Sequence, residues 1–182
     1  SKSSPIMEAS ALIHQYEGVV IMENLILHPI GKVSTCDRDF KLVLDKRYAP
    51  ALEGLDGFGH VQVLWWFDGC DNPEARNTLT EEKPYKHGPD SIGVFATRSP
   101  QRPNPIALTC APVACIDRES CTITLGYIDA DDGSPVLDIK PYTPSLDRVE
   151  HPTVPQWCAH WPVNCESSGD FNWEAEFNFY AD

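Results

Sequence analysis

Sixteen prolines and eleven glycines interrupt this 182-residue chain so often that long helices are excluded. What lies between the breaks is a series of short apolar runs. "VVIM" (19–22) and "LILHPIGKV" (25–33) are β-branched, with Pro29 marking an edge or a bulge. "FKLVL" sets Phe40, Leu42 and Leu44 on one face, and "HVQVLWWF" (60–67) is bounded by "GFG" and "DGCDNP". "IGVFA", "IALTCAPVACI", "CTITLGYI" and "VLDIKPY" follow in the same style. Near the end, "FNWEAEFNF" alternates Phe171, Trp173, Ala175, Phe177 and Phe179 with Asn172, Glu174, Glu176 and Asn178, the pattern of a half-buried strand. Helical texture is confined to short pieces, over 8–14 and after Pro50. About seven or eight short strands in one domain give an all-β class, a single small β-barrel or curled sheet.

A chain of this length folds as one domain and buries roughly 70% of its unfolded surface without staples. The expected divisions are an N-terminal arm over 1–17, a barrel over 18–150, and a tail over 151–182 that packs on the barrel and ends in a strand. The polar stretch from Asp68 to Asp90 reads as a lid or partner-facing loop. Acidic residues outnumber basic ones by 27 to 14, so the net charge is −13. A nucleic-acid binder normally presents a basic face, and here only a local one is available. The seven cysteines form no C-x-x-C pair, which points to free thiols in a reducing compartment. No charged-then-apolar leader and no membrane-length apolar run is present, so the expectation is a cytoplasmic protein.

One segment stands apart from this acidity. "GVFATRSPQRPNPIALT" (93–109) carries Arg98 and Arg102 with no carboxylate between Ser91 and Ile116. Ser99, Arg102 and Asn104 each precede a proline, which pushes them toward extended geometry and stiffens the loop. Stiffness lowers the ordering cost of presenting guanidiniums, which grip carboxylates or phosphates bidentately. A preorganised anion clamp and a polyproline ligand both fit this composition. The position between two core runs favours the clamp.

"DADDGSPVLDIKPY" (129–142) is a turn by composition. A carboxylate inside the apolar "VLDIK" is expensive to bury unpaired. Asp138 therefore needs Lys140, a loop arginine or a ligand amine. The C-terminal His151, Cys158, His160 and Cys165 have no common zinc spacing and read as packing, so no metal is expected. No G-x-S-x-G, Walker loop or G-x-G-x-x-G is present. The glycines at 54, 57 and 59 run in the reverse order and precede a strand.

"HPIGKV", "LEGLDGFGHVQVLWWF", the arginine–proline loop and "VLDIKPYTP" occur in that order between Leu25 and Asp147. Together they resemble the TsaA-like (TrmO) family of methyltransferases. The resemblance implies a small β-barrel that holds S-adenosylmethionine without a dinucleotide fold, works as a homodimer, and methylates N6 of threonylcarbamoyl-adenosine beside the tRNA anticodon. It implies cofactor contacts from Asp68, Gly69, Arg98, Leu108, Asp132, Gly133, Ser134 and Pro135. Arg102 and Asn104 would floor the site or meet the substrate, and Asp138 and Tyr142 would serve the proton transfer. Longer bacterial members carry a glycine-containing segment before the second strand and a further C-terminal domain. This chain has a short "GKVSTCDRDFKLVL" and an aromatic tail instead. With the negative charge, that keeps two alternatives open: a small-molecule or peptide amine as acceptor, and a cofactor-binding module without turnover.

Overall fold

The computed structural model describes residues 25–36 and 39–180, and no side-chain detail is given for Tyr180. The expected helical piece at 8–14 and strand at 19–22 lie outside the described residues. Six of the eight strands among the described residues close into a barrel. They are β1 (Gly31–Ser34), β2 (Phe40–Leu44), β3 (His60–Trp66), β6 (Ile106–Asp117), β7 (Thr122–Leu125) and β8 (Pro135–Pro141). Around the barrel the order is β1-β2-β7-β6-β3-β8, and every neighbouring pair is antiparallel.

The alternation in the sequence explains which side chains fill the barrel. Val61, Val63 and Trp65 of β3 are buried while Gln62, Leu64 and Trp66 are not. The partners set by register, Ala107 and Ala111 on β6 and Val136 on β8, are buried opposite them. Small alanines face the bulky side chains across the pair, which lets the interior close at crystal-like density. Leu42, Ile123 and Val33 complete the fully buried set from the other strands. Two glycines are required by geometry. A Cβ on Gly31 would stand 2.3 Å from the Val43 carbonyl oxygen, so β1 and β2 could not approach. Gly133 holds φ at 84° in the turn before β8, a conformation L side chains rarely adopt.

The other two strands, β4 (Thr80–Glu82) and β5 (Ser91–Gly93), form a separate hairpin. The 68–90 stretch is thus built and not a loose lid. It contains a helical turn at Pro73–Arg76 capped by Asn72, whose side chain accepts the Ala75 N–H at 2.9 Å. "LILHPIGKV" is a strand only from Gly31, because Pro29 cannot join the ladder. "IGVFA" is strand to Gly93 and then a 3₁₀ turn over Val94–Ala96.

The final strand expected at 171–179 does not form. Those residues make 3₁₀ turns at Trp173–Ala175 and Asn178–Tyr180, with one isolated bridge from Phe177 to Tyr85. Glu176 is buried and Phe179 exposed, opposite to the strand pattern. Two physical reasons account for this. The closed barrel offers no edge for another strand to join, and the short β4–β5 hairpin region takes up only the single Phe177–Tyr85 bridge. The Asn172 side chain also accepts the Ala175 N–H at 3.3 Å, which starts a turn instead. The tail packs its aromatics on the hairpin: Tyr85 stacks on Trp157 at 5.0 Å and meets Trp161 edge-on at 5.3 Å.

Candidate active site

The arginine loop leaves β5 and crosses the end of the barrel before entering β6. Its stiffness does not come from proline alone. Arg102 turns back and donates to three backbone carbonyls: Thr97 at 3.2 Å, Ser99 at 3.0 Å and Val94 at 3.1 Å. From outside, Arg76 donates to the Pro103 carbonyl at 2.9 Å and to Asn104 Oδ1 at 3.2 Å. Arg76 is itself held by Asp71 at 2.9 Å and lies over the Trp66 ring. A proline-rich loop lacks amide donors, so its carbonyls need partners from side chains. Two arginines supply them.

Arg98 is different. Among the described residues, its one hydrogen bond runs to the Leu108 carbonyl at 3.0 Å. Most of its five donors therefore remain available to a ligand. It lines a cavity of about 300 Å³ together with Trp65, Phe67, Thr97, Arg102, Asn104, Ile106, Ala107, Leu108, Thr109 and Asp129. That volume lies at the small end of the range for ligand sites. The walls are mixed, polar side chains standing beside an aromatic pair, Trp65 and Phe67, edge to face at 4.6 Å. A register shift in β3 between Leu64 and Trp65 lies at this end of the barrel, as bulges beside sites often do.

The opposite charge in the cavity is Asp129. Trp65 Nε1 donates to Thr109 Oγ1 at 3.0 Å, and Thr109 donates to Asp129 Oδ1 at 2.8 Å. Ile128 and Ala130 on either side are buried, so the chain alternation turns Asp129 outward from the core. A guanidinium, a carboxylate and aromatic walls are thus gathered in one concavity. That donor set matches an amphoteric ligand with a carboxylate, a cation and a flat base.

Of the residues expected from sequence, Arg98, Arg102, Asn104 and Leu108 come together in this cavity. Arg102 and Asn104 line the cavity and also brace the loop through the bonds given above. Asp68 and Gly69 form a 3₁₀ turn directly after Phe67, outside the lining. Asp132, Gly133, Ser134 and Pro135 form a separate corner: Asp132 accepts the Thr35 N–H at 2.9 Å, and buried Ser134 spends its hydroxyl on the Asp131 carbonyl at 2.8 Å. Asp138 pairs in register with Leu64 and forms an ion pair with Lys140 at 2.8 Å, its side chain half exposed. The anticipated partner is there, and the burial is not. Tyr142 rests edge-on against His60 at 6.3 Å. Neither Asp138 nor Tyr142 lines the cavity.

Sequence reasoning missed Asp129, Thr109, Trp65 and Arg76. Asp129 had one legible signal, since it is the first outward position after the alternating "CTITLGYI" run. Arg76 had none, because nothing local indicates that a polar segment folds back on the loop. Cys110 on β6 and Cys165 in the tail show the same kind of long-range contact. Burial, then the neighbouring Cys165 thiol, push the Cys110 thiol up to about 11. All seven cysteines are free.

Comparison with known proteins decides the family. The tRNA-methyltransferase O N-terminal domain matches residues 28–148, which includes the whole barrel and the arginine loop. The chain belongs to this family. An S-adenosyl-L-methionine-binding protein of Archaeoglobus fulgidus is 32% identical over 139 residues, covering 69% of this chain and 94% of that protein. The tRNA (adenine(37)-N6)-methyltransferase of Escherichia coli is 37% identical over 122 residues, 65% of this chain and 51% of the enzyme. The chain therefore spans about half the length of that relative. Among solved structures, TrmO from Pseudomonas aeruginosa superposes with a TM-score of 0.58 at 27% identity, covering 74% of this chain and 62% of that one. No helix among the described residues is long and apolar enough to cross a membrane.

Proposed function

We propose that this chain transfers a methyl group from S-adenosylmethionine to N6 of the adenosine next to the anticodon of tRNA, where that base carries a threonylcarbamoyl group. Family membership makes methyl transfer from S-adenosylmethionine the reaction class. The observation that carries the assignment of the site is the single cavity that holds Arg98, Asp129 and the Trp65–Phe67 pair.

When bound, S-adenosylmethionine supplies an electrophilic methyl group on a sulfonium. Arg98 would hold its carboxylate end with the donors left over from Leu108, and Trp65 and Phe67 would wall the flat base. Asp129 offers the negative charge that favours a sulfonium or an ammonium. Methyl transfer is an in-line displacement, so most of the acceleration comes from holding donor and acceptor in line. The amine also loses a proton, and a positioned carboxylate contributes typically 10²–10⁴-fold. Asp129 replaces Asp138 and Tyr142 as the candidate base, because it alone of the three faces the cavity.

Two features bear on the partners. Ile106 and Leu108 line the cavity yet stay 39% and 45% exposed, so a second copy of the chain laid across this face would cover them and deepen the site. Arg98 and Arg102 lend the cavity a local positive charge on an acidic protein, which favours a phosphate of a nucleic-acid substrate there. The net charge of −13 favours a second reading, methylation of a small-molecule amine. Transfer of labelled methyl from S-adenosylmethionine to total tRNA, followed by nucleoside digestion, decides between them. Label in the modified adenosine supports the tRNA reading. Label only in a small-molecule amine fraction replaces it.

A further inference from the structure

Away from the cofactor cavity, three side chains distant in sequence converge. His87 belongs to the turn joining β4 to β5, His160 follows the 3₁₀ turn at Gln156–Cys158, and Glu176 lies close to the chain's end. One ligand atom from each lies within 4.8 Å of the other two. His160 Nε2 and Glu176 Oε2 are 2.9 Å apart, and the His87 and His160 rings stand nearly perpendicular with centroids 5.4 Å apart. Trp161 Nε1 donates to the same carboxylate oxygen at 3.1 Å.

We propose that His87, His160 and Glu176 form a site for a divalent transition metal of the zinc type, which pins the C-terminal tail to the β4–β5 hairpin. Two imidazoles and a carboxylate are a three-ligand set that such an ion takes with one position left for water. Metal bonds of about 2.0–2.2 Å place tetrahedral ligand atoms roughly 3.4 Å apart. The observed spacings, 2.9 Å for the closest pair and 4.8 Å at most, bracket that value. His87 is exposed and the His160 side chain is 44% exposed, so an ion enters from solvent and small ring rotations bring the nitrogens into place. Glu176 is only 8% exposed, which fixes the third ligand. A charged carboxylate in a covered position is a good receptor for a cation.

The site has a consequence for the arginine loop. The hairpin runs through Gly93 and the Val94–Ala96 turn straight into Arg98. An ion that ties the tail to this hairpin fixes the base of the cofactor loop without touching the cavity. The folded state gains whatever the ion's preference for it supplies by mass action.

Titration of the dialysed full chain with Co²⁺, a spectroscopic stand-in for zinc, tests the site. One equivalent should bind with visible bands of nitrogen and oxygen ligation. His87→Ala, at an exposed position, should weaken binding on the order of a hundredfold. Cys165→Ser should leave it unchanged. Metal should also slow proteolytic cleavage of the tail. A thiolate charge-transfer band lost in Cys165→Ser, equal affinity in His87→Ala, or no stoichiometric binding would overturn the site. Binding that left tail cleavage unaltered would overturn the pinning.

Discussion

Arg102 and Arg98 lie four residues apart in one motif, yet the structure gives them opposite duties. Alanine at position 102 removes three donated hydrogen bonds. The Val94 carbonyl keeps two other donors, the Thr97 amide at 3.1 Å and the Thr97 hydroxyl at 3.0 Å. The carbonyls of Thr97 and Ser99 lose a charged donor. Hydrogen bonds to charged groups contribute about 1.5–3 kcal/mol each, and partial exposure lets water recover some of that. The expected loss is about 3 kcal/mol. For a chain of this size that corresponds to roughly 6–12 °C in Tm. Arg98→Ala removes one exposed hydrogen bond and should shift Tm by about 2 °C or less. Differential scanning calorimetry of both variants, each with and without S-adenosylmethionine, gives the comparison. The ligand should stabilise the wild type and Arg102→Ala, and at the same concentration should stabilise Arg98→Ala less. An Arg102→Ala protein with an unchanged Tm would refute the claim that this guanidinium braces the loop.

Further outcomes follow from the same geometry. Asp129→Asn should lower kcat about a hundredfold or more while changing cofactor affinity less, and an unchanged kcat would exclude it as the base. The raised Cys110 thiol is protonated at pH 8, so its alkylation should run about a hundredfold slower than that of a cysteine in a short reference peptide, and accelerate only as pH approaches 11. Mass spectrometry of labelled peptides checks this, and equal labelling at pH 8 would contradict it. Gly31→Ala should prevent β1 from meeting β2 and give little soluble folded protein, and a normal far-UV spectrum and Tm would contradict the close approach.

The barrel was legible because burial alternates along β2, β3 and β7 as the side chains do in the sequence. Val61, Val63 and Trp65 could be assigned inward from their spacing alone. The tail misled for the same reason. Phe171 to Phe179 alternate with polar residues, but a strand exists only with a partner, and a closed barrel has no edge to lend. Of the site, the arginine loop and its prolines could be read directly, since their chemistry is local. Asp129, Thr109 and Arg76 could not. Their roles depend on hydrogen bonds to residues 20 to 28 positions away, and residue type alone does not reveal such contacts. Asp138 attracted attention as an acid in an apolar run. Its place on β8 opposite Leu64 lets Lys140 neutralise it at the surface, so the apolar run was no guide to burial.

Isothermal titration calorimetry with S-adenosylmethionine, on the wild type and on Arg98→Ala, bears most directly on the cavity as the cofactor site. Loss of a charge-assisted contact of about 1.5–3 kcal/mol corresponds to a drop in affinity of roughly 10- to 150-fold in the variant. Equal affinity in the two proteins would contradict the account, and the cofactor would have to bind elsewhere on the barrel.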